Sequence, residues 1–253
     1  MVEKSIGKPG LLALLVRSFY LQTAWNYESL QALGFAYTMA PVARRLAEGR
    51  KATREFFERH LTLFNTNPVL ASYIIGATAR LEEGYAEGRT SSAEVEALKS
   101  ALAAPLASVG DRFFWAGLRP FAGLLGVLAA GIIGWWGALV LLLTYNAFHL
   151  CYRVRGVLRG YALGASVVSE ISRLRVPRLS QHVGWIGAFA LGMLLVIATH
   201  GWQLSWRREA IFVLPPIALA CGLLPESYRK RITEIAIAVG VLVLLLTAGG
   251  LLG

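Results

Sequence analysis

Asn26 and Glu28 stand two residues apart in an otherwise apolar segment, among the aromatics Trp25, Tyr27, Phe35 and Tyr37. Polar groups in such a setting are costly unless they are paired or used. Two other stretches share this character. Asn65-Thr66-Asn67-Pro68 carries two amides in turn chemistry, and Ala104 to Asp111 is a run of small and apolar residues ending in a carboxylate. Amides and carboxylates together donate to and accept from hydroxyl groups, so the chemistry on offer is recognition of a hydroxyl-rich ligand. Bond-making chemistry has no comparable support. His60, His149, His182 and His200 lack metal-ligand spacing, and no phosphate-binding loop, nucleophile elbow or catalytic carboxylate pair occurs. No catalytic residue, metal site or cofactor is expected.

Each candidate also has a structural reading. On a regular helix Ser18, Gln22, Asn26 and Ser29 share one stripe, and Glu28 and Gln31 share another. Asn26 and Glu28 can then line one site only if the helix unwinds; otherwise they face different partners or lock helices together. Trp25 and Tyr27 suit either stacking on a ligand or a membrane interface. Asn65 either caps the following helix or offers its amide at a hairpin tip. Asp111 either caps the segment after it, pairs with Arg112 or Arg119, or accepts hydrogen bonds from a ligand. In the last reading Asp111 sits at a re-entrant tip that Gly110, Trp115 and Arg119 would shape.

The elements that must position these residues belong to a membrane protein. Of 253 residues 56% are hydrophobic and 16% charged, the net charge is +10, and the mean hydropathy is +0.55. Charge gathers in short clusters between apolar runs, which argues against a nucleic-acid binder and for an all-α integral membrane protein. Cys151 and Cys221 lie far apart and read as buried small residues. The run from Leu11 to Val16 is too short for a signal-peptide core, so the first segment is expected to be retained.

Pro120–Tyr152, Leu179–Trp206, Ala210–Pro225 and Ile235–Gly253 are free of charge. A span needs about 20 apolar residues. The first run suits a span plus a turn, with Gly131, Gly134 and Gly137 allowing close packing; the third, with Pro215-Pro216, should be kinked. Residues 121–253 therefore read as transmembrane helices. Residues 1–120 hold shorter, interrupted apolar segments, which suit re-entrant or broken helices or else amphipathic helices on the surface. The whole is expected to be one membrane domain. The arginines from Arg153 to Arg178, and the cluster Arg229-Lys230-Arg231, fall on the cytoplasmic side if spans alternate. Arg44 to Arg59 reads as a cytoplasmic helix with pairs such as Glu55–Arg59.

Three blocks carry a resemblance over nearly the whole chain: Leu21 to Tyr37 through Trp25-Asn26-Tyr27-Glu28; Arg59-His60-Leu61 with Phe64 to Pro68; and Ala104 to Trp115 with Arg119-Pro120. Tyr145-Asn146-Ala147 with His149 and Arg153 is a weaker fourth. In this order the blocks resemble the IID subunit of mannose/fructose/sorbose-type sugar phosphotransferase permeases. The resemblance implies a multi-pass protein of the bacterial cytoplasmic membrane. It implies pairing with a IIC subunit in a hetero-oligomer, and an elevator-like translocation of a hexose. Separate A and B components carry phosphate from phosphoenolpyruvate on histidines, and B phosphorylates the sugar. IID is then a non-catalytic subunit of the complex. Asn26, Glu28, Asn65 and Asp111 become candidates for the sugar path. The chain departs from the family pattern at Ala104 and Ser108, where glycines are usual, and at Arg112 and Ser29-Leu30. Those departures leave open a second reading, a regulatory scaffold that keeps the fold without transporting.

Overall fold

Ser91 opens the longest helical run. Its hydroxyl accepts from the Glu94 N–H at 3.2 Å while the Glu94 carboxylate accepts from the Ser91 N–H at 2.7 Å, a reciprocal capping box. In the computed structural model, which describes residues 5–172 and 176–200, every named element among the described residues is a helix. The helices are α1 (Gly7–Ser18), α2 (Ala32–Leu46), α3 (Gly49–His60), α4 (Ala71–Ala86) and α5 (Ser92–Gly110), then α6 (Arg119–Ile133), α7 (Gly137–Leu163), α8 (Val167–Ser172) and α9 (Val176–His200). The expected spans at Ala210–Pro225 and Ile235–Gly253 lie outside the described residues.

The break expected at Ala104-Pro105 and Ser108 to Asp111 does not occur. Pro105 sits inside α5, and α5 continues through a π-helical segment, Asp111–Leu118, directly into α6. The reason is the buried stripe Leu98, Leu102, Leu106 and Gly110, which keeps helical spacing on both sides of the proline. Its packing outweighs the one hydrogen bond that Pro105 removes. The run Ser92–Ile133 is roughly 60 Å long.

α4 is the centre of the molecule, with most of its residues buried. It packs backbone against backbone on α7. A Cβ on Gly76 would lie 2.3 Å from the Val157 carbonyl oxygen, and one on Gly160 would lie 2.3 Å from that of Tyr73. α7 also binds α1. Arg153, only 3% exposed, donates to the carbonyl and hydroxyl of Ser18 and lies over the Phe19 ring, so it caps the C-terminus of α1. Arg153 is thus a packing residue rather than a free member of the basic cluster, while Arg155 and Arg159 pair with Glu170. Glu55 and Arg59 also differ from expectation: the exposed i,i+4 pair is Arg54–Glu58, and the Arg59 guanidinium turns inward.

α6 and α7 form a hairpin that turns at Gly134–Trp136. Gly137 allows the close approach, a Cβ there falling 2.4 Å from the Gly126 carbonyl oxygen, whereas Gly131 faces open space. Because the turn bisects the charge-free run, each arm within it is only roughly 20–25 Å long against a hydrocarbon core of about 30 Å. Among the described residues one helical stretch, Ser92–Ile171, is long and apolar enough to cross a membrane. Only 11% of its most apolar window is buried in the protein, so that surface is open to lipid or a partner. The stacked Trp135 and Trp136 rings are exposed at the hairpin tip.

Candidate functional site

The connection between α1 and α2 is where the helix unwinds. The Asn26 side-chain oxygen accepts from the backbone N–H groups of Glu28 at 3.0 Å and Ser29 at 2.8 Å, closing an Asx turn. Backbone bonds between Asn26 and Leu30, at 3.0 and 3.3 Å, complete the loop. Leu30 is held at φ +57°, a region that a leucine rarely adopts. Asn26 is therefore engaged in shaping its own loop. Glu28 is exposed, as are Trp25 and Tyr27, whose rings meet edge to face at 4.8 Å.

That loop is stitched to the Asn65–Pro68 turn. Gln31 clasps Thr66 with both ends of its amide: Nε2 donates to the Thr66 carbonyl at 2.8 Å, and Oε1 accepts from the Thr66 N–H at 3.0 Å. The Gln31 N–H donates to the Phe64 carbonyl at 2.8 Å. Thr66 Oγ1 then donates to the Ala103 carbonyl of α5 at 2.8 Å. Asn67 completes the junction. Its Nδ2 donates to Asp111 Oδ1 at 2.9 Å, and its Oδ1 accepts from the Val69 and Leu70 N–H groups at 3.0 and 3.4 Å. Gly110 makes room, since a Cβ there would sit 2.4 Å from Asn67 Cβ and Cγ.

All three motif blocks thus converge on one junction. Gln31, Thr66, Asn67, Gly110 and Asp111 meet there, while Asn26 shapes the loop leading into Gln31 and Glu28 and Asn65 are exposed on the two loops. Trp115 and Arg119 lie further along the π-helical segment and α6, with the Arg119 guanidinium over the Trp115 ring at 5.4 Å. Asp111 engages Asn67 rather than capping a helix, and the cap of α4's entry is Asn67 rather than Asn65, which is exposed at the tip. The sequence reading picks Asn65 from this turn and passes over Thr66 and Asn67. A signal is present for Asn67: an asparagine directly before proline favours the start of a turn, and Pro68 follows Asn67.

A buried charged cluster anchors the other end of the same loop. Arg59 makes a two-pronged ion pair with Glu82, at 3.0 and 2.9 Å. His60 Nε2 lies 3.0 Å from Glu82 Oε1 but is too poorly aligned for a hydrogen bond. Lys99 of α5 donates to the Arg59 and His60 carbonyls, at 3.2 and 3.3 Å, and to Thr62 Oγ1 at 2.9 Å, capping α3. Burial pushes the His60 pKa below its ordinary value of 6.5, and Arg59 and Lys99 reinforce this against the pull of Glu82. Burial would raise the Glu82 pKa, but the close approach of His60 and the two hydrogen bonds and charge of Arg59 outweigh it and hold the carboxyl low. Both groups bind fewer protons folded than unfolded, so their contribution is present at neutral pH and declines with acidification. The thermal midpoint of the solubilised protein should fall as pH drops below about 6.5. His60→Phe should flatten the decline above about pH 5.5, and an unchanged profile would remove His60 as its source.

Residues 5–201 match the family described as the PTS system mannose/fructose/sorbose family IID component. The chain is 34% identical over 200 residues to the mannose-specific EIID component of Escherichia coli K12, covering 78% of this chain and 71% of that protein. It is 32% identical over 196 residues to the fructose permease IID component of Bacillus subtilis, covering 76% and 70%. Among solved structures it resembles a chain of the mannose transporter ManYZ in complex with microcin E492, with TM-score 0.60, 29% identity, and 95% of each chain covered. A second, described as a membrane protein, gives TM-score 0.70 and 29% identity, with 96% of each chain covered. The chain belongs to the IID component family of mannose/fructose/sorbose-type sugar phosphotransferase permeases.

Proposed function

We propose that this chain is a multi-pass IID subunit of the bacterial cytoplasmic membrane, pairing with a IIC subunit to translocate a hexose that the B component phosphorylates. The observation that carries this reading is the junction that joins the three family blocks through Gln31, Thr66, Asn67 and Asp111, with Glu28 and Asn65 exposed on the loops it ties together. Exposed amide and carboxylate groups on a rigid frame suit sugar hydroxyls. The match to the IID family and the likeness to a chain of a mannose transporter support it. The open apolar face of α6 and α7 suits lipid and the IIC partner.

The backbone at two of the departures, Ala104 and Ser108, supports the transport reading over the scaffold one. Ala104 and Ser108 lie exposed inside α5, and Leu30 is the one non-glycine residue with positive φ among the described residues. No glycine is needed at either position for the helix to run.

The test is phosphoenolpyruvate-dependent uptake of labelled mannose, glucose and fructose in a host lacking its own mannose-type system. The host expresses this chain with its IIC, A and B partners. Uptake of at least one sugar should require the chain. Asn65→Ala and Glu28→Ala should lower it about ten-fold at unchanged membrane abundance. An assembled complex that takes up none of the three sugars would defeat the reading.

A further inference from the structure

Asn67 is 1% exposed, yet its amide crosses 44 residues of sequence to reach the first residue of the π-helical segment. The same side chain holds the entry of α4 through its oxygen. Between these two duties lies the exposed tip at Asn65, which Thr66 ties to Gln31 on one side and to Ala103 on the other. The registry of the tip against α5 is thus set by Thr66–Ala103 and Asn67–Asp111. The second bond exists only because position 110 has no Cβ.

We propose that Asn67 is a positioning residue for sugar transport and that Asp111 acts through it, their hydrogen bond holding the Asn65 tip against the start of the π-helical segment. This rests on the transport reading above and assigns Asp111 a role within it other than contact with the sugar. π-helical turns cluster at functional sites because their wide turns displace side chains from helical register. Here the wide turn begins at the residue that Asn67 grips. The grip requires a hydrogen-bond acceptor at position 111 and not a charge, whereas a sugar-binding carboxylate would depend on its charge.

The experiment is uptake kinetics of labelled mannose by the full chain with its IIC, A and B partners, expressed per IID–IIC complex recovered from the membrane. If the host complex prefers another of the three hexoses, that hexose is used. Asp111→Asn keeps an acceptor and should stay within about three-fold of wild type. Asp111→Ala should lose at least about ten-fold in maximal rate with KM unchanged. Asn67→Asp sets two carboxylates against each other and should show the same defect. The double variant N67D/D111N restores an amide–carboxylate bond with its direction reversed. The carboxylate at position 67 still accepts from the Val69 and Leu70 N–H groups, so the rate should return to near that of D111N. Because Asp111 is exposed, D111A and D111N keep the test readable if N67D fails to assemble. The proposal is overturned if D111N is as defective as D111A, if the loss appears in KM, or if an assembled double variant does no better than N67D. Absence of wild-type uptake would defeat the transport reading and this inference with it; wild-type uptake without rescue would defeat the inference alone.

Discussion

Glutamine in place of Glu82 is expected to destabilise the protein by about 3–5 kcal/mol, because it leaves a buried guanidinium without its counter-charge. Arg59 is 9% exposed and Glu82 2% exposed, and the pair is two-pronged. The buried ammonium of Lys99 sits on the carbonyls of Arg59 and His60, so the loss leaves two cations in the same region. A neighbouring cleft moderates the effect. The pair lines this space of about 240 Å³ between α2, α3 and α4, through which water can reach Arg59, and this favours the lower end of the range. Thermal unfolding of the solubilised protein measures it. Replacing both partners, Arg59→Met with Glu82→Leu, should recover most of the loss, since no charge is then stranded. A single Glu82→Gln variant that unfolds with the wild type would show that Arg59 is solvated and the pair unimportant. The loop 61–67 begins at this cluster, so the destabilised variant should also lose uptake.

The second large effect is at the contact of α4 with α7. Valine at Gly76 should separate these helices, because its Cβ would meet backbone on the facing helix: the Val157 carbonyl oxygen at 2.3 Å and the Tyr161 nitrogen at 2.7 Å. Backbone cannot swing aside as a flexible side chain does. Overpacking in a core ordinarily costs about 1–3 kcal/mol, and an obstacle made of two helix backbones should exceed that. Gly160→Val approaches the same contact from the other side and should match it. Gly123→Val is the control, since a Cβ there meets nothing within 4 Å. Limited proteolysis reports the outcome: rapid cleavage of the Gly76 and Gly160 variants with a wild-type pattern for Gly123→Val is expected. Equal resistance in all three would mean that the helices can part without consequence.

These results would follow from parts of the molecule that differ in how far the sequence announces them. The helical class, the membrane environment and the family are written in local pattern. Long charge-free runs, clustered arginines and three ordered blocks need no tertiary context to be read. The capping box at Ser91 and Glu94 and the break around Asn65–Pro68 are of the same kind, because capping and turn chemistry act within a few residues.

Long-range packing decided the rest. Pro105 and the small residues around it have turn chemistry, yet α5 runs through them because a buried stripe on both sides favours one helix. Asn26 and Glu28 left the question of an unwound helix open, and the pairing of Leu30 with Phe64 answered it. Asp111 has arginines one and eight residues away in the chain, but its partner is an amide 44 residues distant, admitted by the missing Cβ of Gly110. Arg153 reads as a surface charge in a basic cluster and is instead a buried cap on α1. For the buried Asn67 and Arg153 the local sequence offered several ways to satisfy a polar group. Which one forms depends on what the fold brings within hydrogen-bond distance, because leaving a buried polar group without a partner costs more than any local preference returns.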